Sequence, residues 1–236
     1  MKNLCLTLAI LTSISFSVYA DEPCEQLADA DQQFITDLCV ANNNFKDRPS
    51  HMEKICYQSF ISETKKGNKD KKPFTYKMGG RNEGFSKYIS YENISDYPVA
   101  FSMTCTDQGL SFETLIINHE QLGVIPDSLG GLTNLKVLDL IDNEIAALPD
   151  TTATLVNLEE LRLSFNRFSQ LPTFLSSMPN LRNLQMDGNQ IFSVKPADVE
   201  TLLQHVITLN LTNNRLPKDE KRDLKARFDA SEGLWL

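Results

Sequence analysis

The chain has 236 residues, 41% hydrophobic and 23% charged, with a formal net charge of -8 at neutral pH. That apolar content supports a folded core, and the length holds one repeat domain plus a small cap. The acidic excess is shared, 14 acids against 11 bases over residues 21–110 and 17 against 11 over 111–236, which argues against nucleic acid, whose binding needs clustered Lys and Arg to displace counterions.

Residues 1–20, MKNLCLTLAILTSISFSVYA, combine an early lysine, an apolar run broken by Ser and Thr, and Val18, Tyr19 and Ala20 ahead of Asp21. This is the layout of a secretory signal peptide cleaved after Ala20. A membrane anchor is the alternative, but the run is short of the roughly 20 residues a spanning helix needs. No cysteine follows the cleavage site to carry a lipid. The expectation is a mature protein without stable membrane insertion, secreted or periplasmic.

Cleavage removes Cys5 and leaves Cys24, Cys39, Cys56 and Cys105, all ahead of residue 110. An even set in an exported chain points to two disulfides, and no pair has the short spacing of a structural zinc knuckle. Over residues 24–40, Leu27, Phe34, Ile35, Leu38 and Cys39 share one side of a 3.6-residue period and predict a helix. Ser50 and Glu53 form a capping box for a second helix that buries Met52, Ile55, Cys56 and Phe60. If the first helix is continuous, Cys24 and Cys39 stand about 22 Å apart, beyond the roughly 7 Å a bridge tolerates. Two connectivities then survive, of which Cys39 with Cys56 and Cys24 with Cys105 is preferred.

Residues 64–73 form a lysine-rich connector or a patch for an anionic surface. Phe74, Tyr76 and Met78 alternate with polar residues, 79–84 turn, and Val99, Phe101, Met103 and Cys105 alternate again. Residues 21–110 therefore read as a small α+β cap, its last strand entering the next unit through Thr106–Gly109. Such a cap covers the apolar side of a first coil.

From residue 111 the letters recur. Leu135, Leu138, Leu140, Asn143, Ile145, Leu148 and Pro149 return as Leu158, Leu161, Leu163, Asn166, Phe168, Leu171 and Pro172. They return again as Leu181, Leu184, Met186, Asn189, Ile191 and Val194, then as Val206, Leu209, Leu211, Asn214 and Leu216. Phe112, Leu115, Ile117, Leu122, Ile125 and Pro126 precede them. Each copy predicts a short strand, a turn at the Asn and an extended return, with leucines inward because a coil is too thin to hold a core alone. The asparagine points inward to satisfy backbone groups that an apolar residue would leave unpaired.

The pattern resembles the leucine-rich repeat family, in its 23-residue form with Leu-Pro after the turn. The resemblance covers residues 111–216 as five repeats. It implies an α/β solenoid, a right-handed arc with a concave parallel sheet, together with protein recognition and no cofactor. Three departures stand out. Glu120 replaces the first Asn, and an ionised carboxylate only accepts hydrogen bonds, so that turn is satisfied differently. Phe168 stands for Leu, and two extra residues around Lys195 and Pro196 distort one return.

Alternation along each strand places its third, fifth, seventh and eighth repeat positions on the concave face. Ile116, Ile141 and Phe165 would form a diagonal apolar stripe bordered by Asp139, Asp142, Glu160 and Arg162, with Gln185 and Asp187 beyond. Exposed apolar groups ringed by charge mark a protein contact centre, although scattered apolar residues on a strand are also ordinary. The polar end around Asn183, Gln185, Asn210 and Asn213 either binds a glycan or stays wet. Asp139, Asp142 and Asp187 read as a charged surface or a calcium site; no metal is assigned.

Residues 217–236 predict a helical cap that closes the last coil, with Trp235 folding back on it. His51, His119 and His205 share no catalytic motif, and no G-x-S-x-G or H-E-x-x-H occurs. The expectation is a non-enzymatic, exported binding scaffold for a protein partner. A structural envelope or matrix protein and a carbohydrate-binding module are the alternatives, and the sequence names neither the partner nor the oligomeric state.

Overall fold

In a computed structural model of the chain, the described residues are 27–42, 74–78, 86–87, 99–228 and 233–236. The expected signal peptide, Cys24, Cys56, the expected second helix, the lysine-rich stretch and the expected turn at 79–84 lie outside them. No helix among the described residues is long and apolar enough to cross a membrane.

Helix α1 spans Asp29–Ala41 and buries Asp31, Phe34 and Leu38, which stand three and four residues apart and so share one face. It starts later than the periodicity suggests. Leu27 bridges to Leu110 and the Ala28 N–H donates to the Leu110 carbonyl at 2.8 Å, so Leu27 and Ala28 are committed to the sheet.

The strands form one nine-stranded sheet in the order β2-β1-β3-β4-β5-β6-β7-β8-β9: β1 Phe74–Met78, β2 Ser86–Lys87, β3 Val99–Thr106, β4 Gly109–Ile117, β5 Val137–Asp139, β6 Glu160–Arg162, β7 Asn183–Gln185, β8 Thr208–Asn210 and β9 Leu234–Trp235. Pairing is antiparallel from β2 to β4 and parallel from β4 to β9. The alternating strands of the cap are thus continuous with the solenoid sheet. Thr106–Gly109 closes a β3–β4 hairpin, and β4 is the strand where the two pairing senses meet. Phe101 and Phe112 pack edge to face with centroids 5.6 Å apart, filling the core beneath that junction.

Each coil follows the same construction. Leu115, Leu138, Leu161, Leu184 and Leu209 occupy one register across five strands, and all are at most 2% exposed; each such burial contributes about 1.5–3 kcal/mol before entropy. Pro126, Pro149 and Pro172 hold extended backbone ahead of single 3-10 turns at Asp127–Gly131, Asp150–Thr154 and Thr173–Ser177. The two extra residues of the fourth coil are absorbed there, because its return is an α-helix instead, α2 Pro196–Leu203, started by the proline at its first turn.

The asparagines tie neighbouring coils. Asn166 Nδ2 donates to the Leu140, Leu163 and Ser164 carbonyls at 2.8, 3.2 and 3.3 Å, and its Oδ1 accepts the Ile145 N–H at 3.0 Å. Asn143, Asn189 and Asn214 repeat this pattern. In every case the amide reaches back to the preceding coil. The first coil is served by Asn143 and also from outside the repeats: Asn42, at the end of α1, donates to the Val124 carbonyl and accepts the Gly123 and Val124 N–H groups.

At the other end, α3 spans Lys218–Phe228 and buries Leu224. Trp235 does not fold back on it. Leu234 and Trp235 instead add a sixth parallel strand, with Leu209 and Leu211 N–H groups donating to Gly233 and Trp235 carbonyls at 2.6 and 2.7 Å. Gly233 permits the approach: a Cβ there would stand 1.8 Å from the Ile207 carbonyl oxygen.

Candidate functional site

Strand register places Ile116, Asp139, Arg162, Gln185, Asn210 and Trp235 in one ladder across the sheet. The ladder's N-terminal end is closed. Thr114, Ile116 and Asn118 are 7%, 1% and 4% exposed, and Ala100 and Ser102, paired opposite Ile116 and Thr114, are both at 0%. The expected three-membered apolar stripe is therefore interrupted. Ile116 is interior because the hairpin strand is buried on both faces, so the open apolar surface begins at half-buried Ile141 and continues to Phe165, 52% exposed.

Beside it lies an ion-pair network. Asp139 is buried and its Oδ2 accepts from Arg162 Nη1 at 3.1 Å, while Arg162 Nε donates to Glu160 Oε1 at 2.9 Å. Burial raises the Asp139 carboxyl above its ordinary pKa, against the opposing pull of the Arg162 charge and the Ile141 N–H. Burial lowers that of Arg162, but Glu160 and Asp139 together outweigh it and hold the guanidinium more firmly protonated. Asp139, Glu160 and Arg162 of the expected border are thus tied together around a fixed cation, and Asp142 stands apart, against His119.

Further along, Ser164 Oγ and Asn210 Nδ2 both donate to Asp187 Oδ1, and Asn210 Oδ1 accepts from the Thr212 N–H and hydroxyl. Asp139, Asp142 and Asp187 do not converge, and no group of three or more His, Cys, Asp or Glu among the described residues is placed to hold a metal.

At the rim, His119, Asp142, Phe165, Gly188 and Asn213 all adopt positive φ, from 54° to 68°. They occupy one turn position in successive coils, where Asp, Asn and Gly are tolerated and Phe is unusual. His119 Nδ1 lies 2.6 Å from Asp142 Oδ2, both side chains being exposed. With Gln121, Asn143, Glu144 and Arg167 they line a shallow depression, crossed by a Glu144–Arg167 pair at 3.1 Å. This rim cluster was not singled out by sequence; its left-handed positions were the available signal.

Residues 111–168 and 133–191 match the family model described as leucine rich repeat, a match that runs from the first coil into the fourth. No curated protein sequence matches the chain significantly. Among solved structures, a leucine-rich repeat protein of Leptospira interrogans is similar at 25% identity, TM-score 0.42, over 52% of this chain and 36% of that one. The leucine-rich repeat ectodomain of the receptor kinase SOBIR1 from Arabidopsis thaliana is similar at 20% identity, TM-score 0.48, over 81% of this chain and 83% of that one. A plant peptide hormone receptor, RGFR1 in complex with RGF2, is similar at 24% identity, TM-score 0.42, over 48% of this chain and 21% of that one. The chain thus spans about a third of the Leptospira protein it resembles.

Proposed function

We propose that this leucine-rich repeat chain, built on 23-residue Leu-Pro repeats, is an exported scaffold that recognises another protein through its concave face. Export rests on residues 1–20. Disulfides among Cys24, Cys39, Cys56 and Cys105 would hold the cap in an oxidising compartment. The reading assigns recognition and no bond chemistry.

One observation carries the placement. Ile141 and Phe165 are partly and largely open on adjacent coils, beside Asp142, Glu160 and Arg162 and next to the buried Asp139. Their backbone is fixed by inter-coil bonds such as Asp142 N–H to the Ser164 carbonyl and Phe165 N–H to the Asp187 carbonyl, at 2.9 and 2.8 Å. A preformed surface loses little freedom on association, and an apolar centre with a polar rim supplies affinity and register. Gln185 and Asp187 extend the rim toward the C-terminal coils.

The test is capture from extracellular and membrane extracts by the mature chain and by Ile141→Asp with Phe165→Asp, after circular dichroism shows that both fold alike. A partner retained by the native chain and lost by the variant is expected. Equal capture by both would move the contact off this face, and capture of nothing by either would favour the structural role.

A further inference from the structure

The C-terminal part of the concave face differs in chemistry from the part around Ile141. Trp235 is 58% exposed and in register with Asn210 at the end of the ladder. Phe165 is 52% exposed, and its ring lies where a Cβ on Gly188 would be, 2.6 Å from the Phe165 Cδ1 atom. One ring face is therefore supported by bare backbone. The two aromatics stand on β9 and just beyond β6, separated by three strand spacings of about 4.8 Å each.

Between them the surface is amide and carboxylate. The Gln185 side chain makes no hydrogen bond among the described residues. Asp187 uses one oxygen, Oδ1, for Ser164 and Asn210 and leaves Oδ2 to accept. Asp187 carries a free carboxylate oxygen here, whereas Arg162, the ladder neighbour of Gln185, is already held by Asp139 and Glu160. Such a strip lacks the apolar area of a protein hot spot and the cations of a polyanion site. Its combination of aromatic planes, bidentate amides and a spare carboxylate oxygen suits a ligand with apolar C–H faces and a ring of hydroxyls that both donate and accept.

We infer that the strip from Phe165 through Gln185, Asp187 and Asn210 to Trp235 binds a short neutral oligosaccharide, with a sugar ring stacked on Trp235 and hydroxyls held by Gln185 and Asp187. This strip shares Phe165, Gln185 and Asp187 with the proposed protein contact and leaves out its Ile141 end.

Trp235 is the sole tryptophan of the chain, so its fluorescence reports the site directly. The full mature chain is titrated with cellohexaose, laminarihexaose, N-acetylchitohexaose and mannohexaose, with calorimetry in parallel. At least one is expected to bind and to shift Trp235 emission, with affinity unchanged between low and high salt because the ligand is neutral. Gln185→Ala keeps the fluorophore and should weaken binding about tenfold, whereas Arg167→Ala, on the rim depression, should leave it unchanged. Trp235→Ala should abolish the calorimetric signal, and its fold is checked by circular dichroism. Binding of none of the four sugars, binding that survives Trp235→Ala, or binding lost in salt would each overturn the assignment. Ile141 lies outside the strip, so Ile141→Asp alone separates the two readings: it should lose the protein partner and keep sugar binding.

Discussion

Asp31 gives a direct test of how α1 is docked on the solenoid. Its carboxylate accepts the Phe112 N–H at 2.6 Å and the Ser111 hydroxyl at 3.1 Å. Burial outweighs both bonds and pushes its pKa from 3.8 up to about 6. A folded-state pKa above the unfolded one means that the folded state holds this proton more tightly. The stabilisation is complete below the unfolded value of 3.8 and is lost as pH rises through about 6. A gap of about two pH units corresponds to ~3 kcal/mol. Asp31→Asn keeps an oxygen for the Phe112 N–H and offers Ser111 Oγ an amide donor, yet does not titrate. Urea unfolding of both proteins across this window isolates the group, because every other carboxylate cancels in the difference. The two should be similar at the acid end, and the variant should be more stable by up to about 3 kcal/mol near neutrality. A difference that stays flat with pH, or that grows in favour of the native chain as pH rises, would refute the reasoning.

Two further stability measurements follow from the geometry. Asn166→Ala removes one acceptor and three donor contacts inside the stack; with buried backbone groups left unpaired at about 1–3 kcal/mol each, a loss of about 3 kcal/mol or more is expected by urea unfolding, and a loss below about 1 kcal/mol would show the amide to be dispensable. Arg162→Ala strands the buried Asp139 carboxylate and should destabilise by about 2–4 kcal/mol, with most of that recovered in the Asp139→Asn, Arg162→Ala double variant; no recovery would mean that the pair is not the cause.

The coils were legible because their period is dictated by packing. Leu138, Leu161 and Leu184 recur where an inward side chain is needed, and Asn143, Asn166 and Asn189 recur where an amide is needed. Other features depend on what lies across space. Alternation at Val99, Phe101 and Met103 announces a strand without naming its neighbour, so the merging of cap and solenoid into one sheet was not visible. The burial of Ile116 depends on the environment of the hairpin, although its place in the ladder followed from register. Leu234 and Trp235 are too short a strand to carry a pattern, and the turn that admits them rests on one glycine. Asn42 and Asp31 serve the repeats from more than 80 positions away, a relation that no local period encodes.

The backward reach of each asparagine gives the stack a temporal direction. Besides the carbonyls of its own turn, each amide satisfies a carbonyl and an N–H of the preceding coil. On the ribosome, where residues emerge from the N-terminal end, every newly made coil therefore waits half-finished until the next one leaves the exit tunnel. Asn42 and strand β3, made earlier, supply a platform for the first coil, whose own strand is β4. Truncation from the two ends should consequently be unequal: removing the last strands leaves open carbonyls on the coil that remains, whereas the same loss at the start would discard the platform on which assembly begins.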